Sequence, residues 1–202
     1  MTHADARATI DGDQGRAALL VIDMQNAFFE DPMLGSAQRD LVAACNVLLE
    51  AAAEGSAPVL VVRTEHAPDR STWTVSMRDD DQGFIFAGTH QAALIDGLRV
   101  GAAQSVTKTR DSAFFQTDLA ERLRKLGVER IVLAGVSTHN CVAHTGADGF
   151  AENFRVSYAR GAIGSTNTRY AAAMLEILST EYRQPILDQA QVEALLLGDR
   201  QG

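Results

Sequence analysis

The chain of 202 residues is short of cysteine, of clustered positive charge and of long apolar runs, and each shortage closes off a class of protein. Two cysteines, Cys45 and Cys141, make no disulfide framework, so a reduced, cytoplasmic protein is expected. Lysine and arginine total 18 against 26 acidic residues, a net charge of −8, and the basic residues form no cluster beyond pairs such as Arg124-Lys125. That balance argues against a nucleic-acid or anionic-membrane surface and agrees with solubility. No apolar run reaches the ~20 residues of a membrane span. Met1 to Arg16 is polar, contains Gly and Asp, and has no apolar stretch, so it reads as a disordered tail rather than a signal peptide. What is present is 46% hydrophobic residues, enough for one sizeable core, expected as a single α/β domain over residues 17–198.

Short apolar, β-branched runs recur along the chain with helical patterns between them. Ala18 to Ile22, Pro58 to Arg63, Ser105 to Lys108, Ile131 to Ala134, Arg155 to Tyr158 and Pro185 to Asp188 read as strands. Helices are expected over Ala37 to Glu54, around Leu119, Leu123 and Leu126, from Thr138 to about Phe154, and from Arg169 to about Glu181 behind a Thr166 or Asn167 cap. This alternation gives a parallel sheet covered by helices on both faces, with its site beyond the carboxyl ends of the strands. Arg63 to Ile95 is too long for an idle connection and reads as a pocket wall or lid.

The stretch Ile131 to Phe150, IVLAGVSTHNCVAHTGADGF, delivers a thiol to the top of a buried strand. Gly135 breaks the strand, Ser137, Thr138 and Asn140 are helix-capping types, and Cys141 falls in the first turn of the helix that follows. Free N–H groups and the positive dipole end there favour a thiolate and can hold an oxyanion. Asp23 ends the run LLVI and Lys108 ends SVT, so three ionisable residues converge on one edge of the sheet. Singly, each has a bland reading: a turn cap, a lysine reaching solvent, a small core thiol. Their convergence favours chemistry.

The blocks LLVIDMQNAFF, TKTRDSAFFQTDL and LAGVSTHNCV resemble the signatures of the isochorismatase-like cysteine hydrolases, over about Ala17 to Asp188. That family includes nicotinamidases, N-carbamoylsarcosine amidase, ureidoacrylate and biuret amidohydrolases, streptothricin hydrolase and isochorismatase. The resemblance implies a three-layer α/β/α, Rossmann-like fold whose six-stranded parallel sheet has the order 3-2-1-4-5-6. It also implies a triad of Asp23, Lys108 and Cys141, a cis Val136–Ser137 bond, and an oxyanion site of the Ser137 and Cys141 N–H groups. On it, Lys108 stabilises a Cys141 thiolate of depressed pKa, and Asp23 carries the proton to the leaving nitrogen through a thioester route. A homodimer or homotetramer is implied as well. A Cys141–His144 dyad at i, i+3 is the rival mechanism. An isochorismatase-type vinyl-ether hydrolase with Asp23 as acid, and a silent binding protein, are the rival functions.

Nicotinamidases of this family carry a metal-binding Asp-x-His after the second strand. Here Thr64 stands at the Asp position, followed by Glu65 and His66, so no metal and no other cofactor is expected and nicotinamide becomes a less suitable substrate. A small-molecule substrate is expected to meet Phe28, Trp73, Phe114 and His139. Trp73, the sole tryptophan, sits in the polar Arg70-Ser71-Thr72-Trp73 run, where core burial is hard to arrange. The Asp79-Asp80-Asp81 run reads as a solvated loop that would favour a cationic substrate if it faced the pocket.

Overall fold

The computed structural model describes residues 15–198, so most of the expected tail, residues 1–14, lies outside the described residues. Arg16, assigned to that tail on polarity, instead opens the first strand. Its guanidinium donates to the Leu126 carbonyl at 2.8 Å and to that of Ser56, which anchors it at the bottom of the sheet.

The strands are β1 (Arg16–Ile22), β2 (Val59–Thr64), β3 (Gln104–Lys108), β4 (Val128–Val136), β5 (Arg155–Gly164) and β6 (Ile186–Leu187). They form a parallel six-stranded sheet in the order β3-β2-β1-β4-β5-β6, as the resemblance implied. The helices are α1 (Asn26–Phe29), α2 (Pro32–Glu54), α3 (Val75–Asp79), α4 (Leu119–Lys125), α5 (Ala143–Ala151), α6 (Thr168–Glu181) and α7 (Gln189–Leu197), with a π-turn at Thr138–Val142 ahead of α5. No described helix is long and apolar enough to cross a membrane.

Strand β1 is buried on both sides, so its alternate side chains feed two cores. Leu19 and Val21 pack with Leu34, Leu41, Cys45 and Leu48 of α2 and with Val192 and Leu196 of α7. Ala18, Leu20 and Ile22 pack on the opposite face with Leu119 and Leu123 of α4, Val142 of the π-turn and Leu178 of α6. Leu60 and Val62 of β2 and Val106 of β3 share that second face.

Helix α2 begins one turn earlier than its apolar pattern suggests. Asp31 accepts hydrogen bonds from the Met33 and Leu34 N–H groups, and Pro32 occupies the first turn, where its missing donor costs nothing. Helix α7, which the strand-helix rhythm did not reveal, is started by a capping box. The Asp188 carboxylate accepts from the Gln191 N–H and the Gln191 side-chain Oε1 accepts from the Asp188 N–H, both at 2.9 Å.

Strand register sets the site. Ile22 pairs with Val62 on one side and Gly135 on the other, and Thr64 pairs with Lys108. Four strand ends therefore form one rim. Gly135 has φ +107°, and a Cβ there would lie 1.9 Å from the Ile22 carbonyl oxygen, so only glycine lets β4 leave the sheet this close to β1.

The long segment after β2 is a fixed wall. His66 bridges Phe86 and Gln25 bridges Leu94, while Met24 and Ile95 share a backbone hydrogen bond. Trp73 is 6% exposed, against the expectation of an open position. Gly83 lets its ring settle beside Phe86, where a Cβ would meet the indole at 2.4 Å, and its N–H donates to the Ala67 carbonyl at 2.9 Å.

Replacing Asp188 with Ala should lower stability by about 1 kcal/mol, read as a reduced urea midpoint at unchanged slope. An unchanged midpoint would mean that packing alone holds α7.

Candidate active site

Asp23 follows β1 in the left-handed region, at φ +52°, a conformation that aspartate tolerates better than most residues. Its N–H donates to the Val62 carbonyl and its own carbonyl accepts from Gln25, a tight turn at the strand end. The turned carboxylate meets Lys108: Nζ lies 2.7 Å from Oδ2, and both side chains are wholly buried. Lys108 also donates to Thr64 Oγ1 at 2.6 Å and to the Arg110 carbonyl at 3.1 Å, and it lies 3.4 Å from Cys141 Sγ. Thr64 Oγ1 in turn donates to Asp23 Oδ1 at 3.0 Å. The acid, the ammonium and the sulfur expected at the rim are thus brought together, and Thr64 joins the first two.

Cys141 sits in the π-turn and is 6% exposed. The Ser137 carbonyl accepts from both Asn140 and Val142 N–H groups, which curls the turn around the sulfur. The Val136–Ser137 bond is cis, as the resemblance implied, and Ser137 is buried beside the thiol's turn. Burial pushes the Cys141 thiol well above its ordinary value; the Asp23 carboxylate adds to this, and Lys108 opposes it. The expectation of a depressed thiol is therefore corrected: the sulfur rests as a buried thiol facing two opposite charges. Burial works against the Lys108 ammonium too, but the Asp23 carboxylate 2.7 Å away opposes it and holds the amine charged.

His144 does not approach the sulfur as the rival dyad requires. Its Nδ1 donates to the Asn140 carbonyl at 2.9 Å, and Lys108 occupies the place beside Sγ. His139 stands half-exposed at the head of the turn, with Nδ1 2.7 Å from Ser165 Oγ and its ring edge-on to Tyr170. Phe28 packs against the α2 side of the core. Phe114 stacks on Phe154 with centroids 5.9 Å apart, beneath α5. An open, largely apolar groove of about 620 Å³ lies elsewhere, between α2, β5 and α6, and reaches the π-turn only at Thr138.

The metal position does not fit a metal. The Thr64 hydroxyl is held between Lys108 and Asp23, Glu65 pairs with Arg63 at 3.3 Å, and His66 Nδ1 donates to the Thr72 carbonyl at 3.1 Å. Among the described residues no group of three His, Cys, Asp or Glu could hold a metal ion.

Three residues at the rim were given no role at the site from the sequence. Gln25 is fully buried; its amide donates to the carbonyls of Thr64 and Ala92 and accepts from the Thr64 N–H, fastening β1 to β2 and to the wall. Thr64 ends a buried strand as Asp23 and Lys108 end theirs, a signal that was there to be used. Asp111 places Oδ1 3.8 Å from Cys141 Sγ.

Residues 17–191 match the family model of the isochorismatase domain. The chain is 30% identical to nicotinamidase 3 of Arabidopsis thaliana over 191 residues, which cover 91% of this chain and 90% of that protein. It is 35% identical to a probable inactive nicotinamidase from the same plant over 147 residues, 68% of this chain and 74% of the relative. Among solved structures, an isochorismatase family protein from Desulfovibrio vulgaris superposes with a TM-score of 0.77 at 25% identity, over 89% of this chain and 97% of that one.

Asp23→Asn removes a negative charge beside Sγ and should lower the pH midpoint of Cys141 alkylation by iodoacetamide, whereas Lys108→Met should raise it. Shifts of the same sign would show that these charges do not act on the sulfur as placed. Cys45, raised to about 12 by burial, is the silent internal control. Thr64→Val leaves two buried polar groups short of a partner and should cost about 1–3 kcal/mol in urea unfolding, with most of the loss recovered in Thr64→Ser.

Proposed function

Because the chain belongs to the isochorismatase family, we propose that it is a cysteine-dependent hydrolase that cleaves a C–N bond of a small amide, ureide or lactam. The observation that carries this reading is the buried meeting of the Lys108 ammonium with Asp23 at 2.7 Å and with Cys141 Sγ at 3.4 Å. The similarity to a nicotinamidase over nine-tenths of both chains supports the same bond type.

Sγ attacks the carbonyl carbon while Asp23 takes the S–H proton. The oxyanion is received by the N–H groups of Ser137 and Cys141, donors whose removal typically costs about 3 kcal/mol of barrier. Collapse breaks the C–N bond, and Asp23 passes its proton to the leaving nitrogen, which departs as ammonia or an amine. Water then attacks the thioester with Asp23 as base, the C–S bond breaks, and the proton returns to sulfur, leaving a carboxylic acid. Lys108 stays charged throughout and offsets the negative charge on sulfur as the C–S bond forms and breaks. A vinyl-ether substrate would use Asp23 as acid and leave the sulfur without a task. The placement of Cys141 beside both charges favours the C–N reading.

A panel of primary amides, ureides and lactams, followed by ammonia or amine release, should contain a substrate for the full chain. On that substrate Cys141→Ala should lose at least about 10⁴-fold in kcat, and Asp23→Asn at least about 10²-fold. Intact mass measured during turnover should show an acyl adduct on Cys141. Turnover that survives in Cys141→Ala would remove the covalent route. No turnover across the panel would overturn the hydrolase reading.

A further inference from the structure

Lys108 and Asp23 cancel one another in the interior, so the charge that an approaching ligand meets is set by what stands exposed beside the sulfur. Asp111 stands there, three residues beyond Lys108. Its side chain is 60% exposed, with Oδ1 3.8 Å from Cys141 Sγ and Oδ2 3.9 Å from His144 Nδ1. The neighbouring cation is turned away: Arg110 gives its guanidinium to the carbonyls of Thr72 at 2.8 Å, Thr109 at 2.6 Å and Trp73 at 3.4 Å. The sulfur also registers this carboxylate, which adds to the rise of the thiol. The acidic run noted in the sequence plays no part at this place. Asp79 and Asp80 end α3 exposed, and Asp81 pairs with Arg70.

We propose that Asp111 is the specificity-determining residue of this site, selecting substrates that carry a positive charge beside the scissile carbonyl and rejecting those that carry a carboxylate there. The inference rests on the hydrolase reading above and names its substrate class: a cationic amide, ureide or lactam, an ammonium or guanidinium group flanking the acyl carbon. The charged and titratable groups around the carboxylate are Asp23 from β1, Lys108 from β3, Arg110 from the following turn, Cys141 and His139 from the π-turn, and His144 from α5. Of these, the two fixed cations are committed to other partners. Asp111 is thus the charge left over at the place where the flanking group of a bound substrate must lie.

The potential at the sulfur can be read without knowing the substrate. Two methanethiosulfonates of similar size, one ending in trimethylammonium and one in sulfonate, both react with the Cys141 thiolate to form a mixed disulfide and release methanesulfinate. The ionised fraction of the thiol therefore cancels from the ratio of their rates. In the full chain at low ionic strength, followed by intact mass, that cation-to-anion ratio should exceed the ratio for a small neutral thiol by about tenfold, as expected for unit charges several ångströms apart across bulk water. Asp111→Asn should lower it at least threefold and Asp111→Lys should invert the preference, while added salt should compress the wild-type bias. Cys141→Ala measures any labelling of Cys45. An equal ratio in wild type and both Asp111 variants overturns the proposal, as does a wild-type sulfur that neither reagent labels. A charge bias that depends on Asp111 in a chain that turns over no amide supports the selection and sinks the hydrolase reading alone. Turnover with no such bias does the reverse.

Discussion

A buried ion pair holds the rim together. Taking Lys108 and Asp23 out of water costs several kcal/mol for each ion, and their attraction repays this only with good geometry and further hydrogen bonds. The rim supplies both. An ammonium has three hydrogens, and three oxygens stand within 3.1 Å of Nζ, from Asp23, Thr64 and the Arg110 backbone. The sulfur at 3.4 Å also accepts from Nζ, so the ammonium spans the acid and the thiol. The pair also explains why Gln25 must be where it is. By fastening the β2 end to the β1 end, it fixes the Thr64 hydroxyl between the two charges.

The strand order turns this pair into a site. β1 and β4 are neighbours from which the chain runs outward in opposite directions, so no crossover covers the crevice between their ends. Asp23 leaves one lip of that crevice and the π-turn leaves the other, after a glycine that no other residue could replace without striking Ile22. A thiol carried into the crevice meets charges that were assembled on the β2 and β3 side. Only the register of four parallel strands places their ends on one line.

The sequence made some of this plain and hid the rest for definite reasons. Strands buried on both faces stand out as apolar runs, and the residues ending them, Asp23 and Lys108, could be read directly. Cys141 was legible through the glycine and capping types before it. The thiol's rise was not, because it depends on how deeply the turn sinks and how near Asp23 comes, neither of which spacing gives. Trp73 was misjudged since its neighbours in sequence are polar, whereas its burial comes from Gly83 and Phe86 folding back over it. Gln25 and Asp111 act across separations of 67 and 30 residues, on Ala92 and Cys141, and no local pattern announces such partners. Thr64 looked like a lost metal ligand. In place it is a hydroxyl that joins an acid to a base.

That exchange bears on how a thiol raised by burial can still serve as the proposed nucleophile. A free thiolate in a dry pocket would be costly, and a metal beside it would be one remedy. The rim offers another. Before attack the pocket holds one carboxylate and one ammonium beside a neutral thiol. After attack with proton transfer to Asp23, it holds a neutral acid, the same ammonium and one oxyanion. The negative charge has moved from Asp23 to the oxyanion without any new charge being created, so burial exacts no fresh desolvation cost for the step. A low dielectric then strengthens the attraction of Lys108 and the turn's N–H groups for the moving charge. The burial that suppresses the isolated thiolate is therefore compatible with fast attack, provided that proton transfer and bond formation are coupled. Asp23, fixed by Thr64 and Lys108 against the sulfur's pocket, is the group positioned to couple them.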